Sequence, residues 1–146
     1  MRDKIFIDTN IFVYSFMKNH KNREDQKKHE LAKLFLSNMD YGSDVFISTQ
    51  VCSEYYNALL KNKINEEQIQ YSLKLLMKSA KVLQISETTI LKTMEIKNRY
   101  KFSYWDSLIV SSALENGCLE LYSEDMHDGL LIDERLMIIN PFRSAK

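Results

Sequence analysis

Apolar positions in this chain follow two different periods, and the switches between them cut it into short elements. Residues 4–8 (Lys4-Ile5-Phe6-Ile7-Asp8) form a compact apolar run that predicts a buried strand. Val45-Phe46-Ile47-Ser48, Val82-Leu83-Gln84-Ile85, Leu119-Glu120-Leu121-Tyr122 and Leu136-Met137-Ile138-Ile139 read the same way. Between these runs the apolar residues recur at helical spacing. Residues 25–39 align Leu31, Leu34, Phe35 and Met39; residues 49–62 align Val51, Tyr55, Ala58 and Leu59. Residues 66–79 align Ile69, Leu73, Leu76 and Met77, and residues 88–100 carry Ile90, Leu91, Met94 and Ile96. A short helix through Met17 is expected to be capped by Asn10 or Thr9, and Ser86 is placed to cap the helix of residues 88–100. A last helix opens at Ser103 and runs to Asn116, where Gly117 stops it. Residues 18–26 read as a polar loop and Tyr41-Gly42-Ser43-Asp44 as a turn. Such alternation of strands and helices predicts an α/β fold with a mainly parallel central sheet flanked by helices.

Composition narrows the class without naming a chemistry. A chain of 146 residues fits one domain, taken as residues 1–142 with a short polar tail at 143–146. No apolar run is long enough to span a bilayer, and Asp8 interrupts the only candidate for a leader segment, so a cytoplasmic protein with no membrane partner is expected. Cys52 and Cys118 lie outside any C-x-x-C motif and are expected as reduced thiols in the core. The three histidines share no ligand spacing, which argues against zinc. Formal net charge is zero, which counts against bulk nucleic-acid binding. The distribution is nonetheless uneven. Basic residues cluster at Lys18, Lys21, Arg23, Lys27 and Lys28 and again at Lys97, Arg99 and Lys101, while residues 115–134 are acidic.

The acids carry the chemistry. Asp8 ends the first strand, and in an open α/β sheet the carboxyl ends of strands are where ligands sit. Asp8 can equally cap the helix that follows. Glu54 falls beside the buried stripe of its helix, where an unpaired carboxylate is rare. Asp106 fits a capping box with Ser103, yet it also leads the face of Ile109, Val110 and Ala113. Ser123-Glu124-Asp125 follows the fourth strand as Asp8 follows the first. Each acid has an ordinary explanation. Together they predict an all-oxygen site for a hard divalent cation at one sheet edge.

With these residues in view, the chain resembles the PIN-domain ribonucleases, in particular the VapC-type toxins of toxin–antitoxin pairs. The resemblance rests on Phe6-Ile7-Asp8-Thr9-Asn10, Ser48-Thr49-Gln50-Val51-Cys52-Ser53-Glu54, Tyr104-Trp105-Asp106-Ser107-Leu108-Ile109-Val110 and Leu121-Tyr122-Ser123-Glu124-Asp125-Met126. It implies a single-domain PIN-like fold in which Asp8, Glu54, Asp106 and Asp125 are catalytic and bind Mg²⁺ or Mn²⁺. Thr9, Asn10 and Ser123 would support them, with Glu124 ranked below Asp125. It also implies metal-dependent cleavage of RNA, a homodimer, and a small antitoxin protein as partner. Lys97, Arg99 and Lys101 are candidate RNA contacts, with Tyr104 or Trp105 available to stack on a base. The rival reading is a non-catalytic RNA- or protein-binding module of the same fold with a structural ion.

Overall fold

The first apolar run forms β1 (Lys4–Ile7), whose Phe6 and Ile7 have no exposed surface. Asp8 then takes extended backbone angles and opens α1 (Thr9–Phe16), which buries Ile11 and Phe12. The chain continues through α2 (Arg23–Ser37), β2 (Asp44–Ser48), α3 (Thr49–Lys61), α4 (Glu66–Ser79), β3 (Lys81–Leu83), α5 (Glu87–Tyr100), α6 (Tyr104–Glu115), β4 (Glu120–Tyr122), β5 (Leu131–Ile132) and β6 (Leu136–Ile139). This computed structural model describes residues 3–18, 21–39 and 44–143. The expected turn at Tyr41-Gly42-Ser43 and residues 144–146 of the expected tail lie outside them.

The strands form one six-stranded sheet in the order β3-β2-β1-β4-β6-β5. All neighbours pair in parallel except β5, which runs antiparallel to β6. The α/β architecture with a mostly parallel sheet between helices is therefore the one the pattern predicts. β5 is the addition. A strand of only two residues has no period to detect, and β6 holds it by pairing Leu131 with Met137 and Ile132 with Leu136.

One helix differs from expectation in the face it buries. On α3 the predicted stripe of Val51, Tyr55 and Leu59 is buried. On α5 the buried residues are Thr89, Thr93 and Ile96, whereas Ile90, Leu91 and Met94 are exposed. The cause lies in α6, which is buried from Ser107 through Leu114. Its serines are small, and Ser107, Ser111 and Ser112 donate to carbonyls four residues back, so the helix carries hydroxyls into the core with their hydrogen bonds made. The threonines of α5 share that habit: Thr93 donates to the Thr89 carbonyl at 2.7 Å, and Thr89 donates to Glu115 at 2.7 Å. A surface of small, self-satisfied polar residues thus packs where an aliphatic stripe was expected.

Both cysteines are free; Cys118 is buried and Cys52 half-buried. No helix among the described residues is long and apolar enough to cross a membrane.

Candidate active site

The register of the central strands builds the site. Ile7 of β1 lies beside Tyr122 of β4, so Asp8 and Ser123 leave the sheet together. The Asp8 amide donates to the Tyr122 carbonyl at 2.9 Å, and the Ser123 amide donates to the Ile139 carbonyl at 2.9 Å. Beyond these ladder bonds the side chains meet: the Ser123 hydroxyl donates to one Asp8 oxygen at 2.8 Å. The other Asp8 oxygen accepts from the Thr9 amide at 2.7 Å. Of the three caps the sequence offered, Asp8, Thr9 and Asn10, Asp8 is thus the N-cap of α1. Capping and site are one role here, because a carboxylate has lone pairs for both.

Relieved of capping, Thr9 and Asn10 reach across to the other acids. The Thr9 hydroxyl donates to Glu54 at 2.7 Å, and the Asn10 amide group donates to Asp125 at 2.8 Å. Glu54 lies two turns into α3, which Ser48 caps from the end of β2. Asp106 sits in the first turn of α6, where Ser103 caps the helix by accepting from the Asp106 amide at 3.1 Å. The predicted cap is therefore present in its Ser103 half.

Asp8, Thr9, Asn10, Glu54, Asp106 and Asp125 line one cleft of about 240 Å³, together with Gln50, Asn57, Ala58, Lys61 and Ile109. The structure thus gathers the four predicted acids from β1, α3, α6 and the loop after β4. Asp8 is only 8 % exposed. Burial pushes its carboxyl from 3.8 up to about 7; hydrogen bonds from Thr9 and Ser123 oppose this, and the charges of Glu54 and Asp106 reinforce it. Asp106 is also raised, by burial first and then by the charge of Asp125, against the Ser103 hydroxyl, with Glu54 adding to the rise. Among the described residues none of the four is in an ion pair. The acids crowd one another with only neutral donors between them.

The donor set decides which cation would fit. Among the described residues no three His, Cys, Asp or Glu side chains converge to hold an ion directly. A cage closed by protein ligands alone is therefore not what the fold builds. Mg²⁺ takes one or two carboxylates and keeps several waters, which suits a cleft of separated acids with room between them. Oxygen ligands, uncompensated negative charge and an open side all fit such an ion.

Four expected residues, Glu124 and the three candidate RNA cations, lie outside the cleft. Glu124 pairs with Lys28 at 2.9 Å and does not line the cleft. Arg99 pairs with Asp133, and neither it nor Lys97 nor Lys101 lines the cleft; the cation on its wall is Lys61. Gln50 was missed in the sequence. It is 7 % exposed and donates to Glu54 at 3.3 Å and to the Trp105 carbonyl at 3.1 Å, tying α3 to the start of α6. Its signal was its place four residues before Glu54, on the same helix face.

A parallel sheet with acids gathered beyond the ends of its middle strands defines a class of α/β domain built around an acidic cleft. The PIN domain family matches residues 5–127, and this chain belongs to it. Among solved structures the fold is similar to Mycobacterium tuberculosis VapC20, described as a sarcin–ricin loop cleaving toxin, at TM-score 0.67 and 17 % identity over 83 % of this chain and 89 % of that one. A toxin–antitoxin complex from Klebsiella pneumoniae matches at TM-score 0.68 and 18 % identity over 94 % of this chain and 97 % of that one. VapBC2 from Rickettsia felis, bound to a promoter DNA fragment, matches at TM-score 0.63 and 20 % identity over 94 % and 99 %. Comparison of the sequence with curated proteins gives no match.

Proposed function

We propose that the protein is a divalent-metal-dependent endoribonuclease that hydrolyses RNA phosphodiester bonds, acting as the toxin of a toxin–antitoxin pair. One observation carries the reading: four carboxylates from four separate places in the fold share one open cleft, and among the described residues none of them is in an ion pair. Bound there, Mg²⁺ or Mn²⁺ would lower the pKa of a water and offset charge on the phosphate. Asp8, at the end of β1, and Asp106, in the first turn of α6, are by their position the proposed direct ligands. Glu54, held by Thr9 and Gln50, is positioned to orient the attacking water or to act as a further ligand. Asp125, held by Asn10, completes the polar wall. Ser123 and the Thr9 amide fix Asp8 in one rotamer, so its carboxylate needs little reorganisation when a cation arrives.

The partner reading rests on likeness. Two of the similar folds are known with an antitoxin or as a VapBC pair, which supports a small antitoxin as partner here; a homodimer is proposed from the family resemblance alone.

The test is cleavage of a labelled total-RNA pool by the purified protein with Mg²⁺, Mn²⁺ or EDTA, beside Asp8→Asn and Asp106→Asn. Discrete cuts are expected with metal only, falling on the order of 10³-fold or more in either variant, equivalent to about 4 kcal/mol of barrier. Metal-dependent stabilisation with no cut in any RNA would instead mark a structural ion in a binding module.

A further inference from the structure

One wall of the acid cleft carries a cation that the acids do not use. Lys61, the last residue of α3, lines the cleft with Asn57 and Glu54. These three residues are three and four positions apart, which stacks them on one helix face. A carboxylate, an amide and an ammonium thus stand in a row rising roughly 10 Å along the helix axis. Helical side chains lean toward the N-terminus of their helix, so the lysine stem runs back along this row toward the acids.

Two ordinary uses of such a lysine do not apply. The first is pairing with a carboxylate. Four acids line the same cleft, yet among the described residues Lys61 is in no ion pair. The second is donating to the last carbonyls of the helix. The Ala58 carbonyl already accepts from the Asn62 amide at 3.2 Å and from its Nδ2 at 2.7 Å. The Leu60 carbonyl accepts from the Lys63 amide at 3.0 Å, and the Leu59 carbonyl from the Ile64 amide at 3.1 Å. Lys63, at a φ of 62°, makes the left-handed turn that closes such an end. Nor does Lys61 help a metal, since its like charge works against a divalent cation in the same cleft. The placement becomes favourable when the ligand brings more negative charge than that ion removes.

We propose that Lys61 holds the phosphate next to the scissile one and so sets the register of the RNA strand across the acids. The proposal rests on the ribonuclease reading of the cleft and names a substrate contact within it. A nucleic-acid strand carries a charge at every link, so the phosphate facing the ion is followed by another that the ion does not neutralise. An ammonium on a flexible stem meets such a phosphate as a point charge. A contact of this kind positions the strand and reads no base. Lys61 is therefore a positioning residue, and the acids keep the chemistry.

The experiment measures binding of a dye-labelled, mixed-sequence RNA of about 12 nucleotides, the footprint of a single-strand site, across a series of KCl concentrations. Ca²⁺ replaces Mg²⁺ to suppress cutting. Losing one phosphate contact lowers the slope of log affinity against log salt by about 0.7 for a single strand. Lys61→Gln should therefore bind about fivefold more weakly at about 0.1 M salt, with the difference closing toward about 1 M. Lys61→Arg keeps the charge and should restore both affinity and slope. Mg²⁺ alone, without RNA, should raise the Tm of Lys61→Gln at least as much as that of wild type, because a like charge has been removed. Lys61 is exposed, so both variants should fold, which the same melting curves check.

Four results overturn the proposal: an unchanged slope in Lys61→Gln, a loss that Lys61→Arg shares, a smaller Mg²⁺ response in Lys61→Gln, or no binding of the RNA by wild type. The two readings fail separately. A slope that depends on Lys61 in a protein that cuts no RNA in Mg²⁺ keeps the phosphate contact and removes the nuclease. Metal-dependent cutting with an unchanged slope does the reverse.

Discussion

Asp8 and Asp133 are both carboxylates at the margins of the same sheet, and their surroundings drive them in opposite directions. Asp133, beside the β5–β6 turn, is pushed up by partial burial but pulled further down by hydrogen bonds from Tyr100 and Arg99 and by the charges of Arg99 and Lys92, so it sits below its usual range. Glu124, one residue from Asp125, is also given a cation: Lys28 pairs with it at 2.9 Å and lies over the Tyr14 ring at 5.3 Å. In the cleft, by contrast, Asp8, Glu54, Asp106 and Asp125 receive only neutral donors. Asp133 and Glu124 are each supplied with a cation, whereas the four cleft carboxylates are brought together without an ion pair among the described residues, the arrangement on which the proposed metal site rests.

The largest test of that contrast replaces Asp8 by Asn. Without metal, the raised pKa of Asp8 means the native state holds a proton that the unfolded chain releases between pH 4 and about 7. The contribution of this group to stability is therefore full below pH 4, falls as pH rises, and is gone above about 7. Asp106, also raised, acts in the same direction. Metal-free wild type should thus melt lower at pH 8 than at pH 5 relative to Asp8→Asn, in which this slope is smaller. Mg²⁺ or Mn²⁺ at ten times its Kd should raise the wild-type Tm by roughly 3–6 °C, about 1.4 kcal/mol, and that of Asp8→Asn by much less. Parallel pH profiles for the two proteins, or equal metal shifts, would remove Asp8 from the centre of the site.

The sequence made the acids legible because each lies at an element boundary that pattern can locate: Asp8 after an apolar run, Asp106 behind Ser103, Asp125 after the fourth strand. It also located α1 to α6, since their periodicity spans several turns. What it hid was pairing. That Glu124 meets Lys28 and Arg99 meets Asp133 depends on contacts across 96 and 34 positions of chain, which no local spacing encodes. The cap of α1 was left open among Asp8, Thr9 and Asn10 for the same reason: all three have the chemistry to cap, and only the fold shows that Thr9 and Asn10 turn to Glu54 and Asp125 while Asp8 accepts from the Thr9 amide. The outward turn of Leu91 and Met94 followed from serines on a different helix.

A second variant attacks the paired side of the comparison. Lys28→Met removes an ion pair whose partners are 22 % and 18 % exposed, together with the contact to Tyr14. Leaving Glu124 half-buried and unmatched should cost about 1–2 kcal/mol, read as a Tm drop of roughly 2–8 °C. Because neither residue lines the acid cleft, RNA cleavage at a temperature where the variant is folded should stay within a few-fold of wild type. A loss as large as that of Asp8→Asn would mean that Glu124 belongs to the catalytic set after all.

The smallest effect is the most direct reversal: adding a cation one turn from Glu54, in a cleft whose one lining cation, Lys61, forms no ion pair with the four acids among the described residues. Asn57 is exposed on its wall, one turn beyond Glu54 on α3. Asn57→Lys places an ammonium three residues from Glu54, a pairing worth about 0.2–0.5 kcal/mol on a helix. It also faces Lys61 four residues on, whose like charge offsets a similar amount. Helix terms therefore nearly cancel, and the outcome depends on the remaining acids. If their charge is uncompensated, the metal-free variant should melt slightly above wild type at pH 8, by ~1–3 °C, and gain less from Mg²⁺. The two shifts should oppose each other, because one positive charge substitutes for part of the other. A variant that melts below wild type, with an undiminished response to Mg²⁺, would show that neutral donors already satisfy these carboxylates and that the cleft needs no cation to complete it.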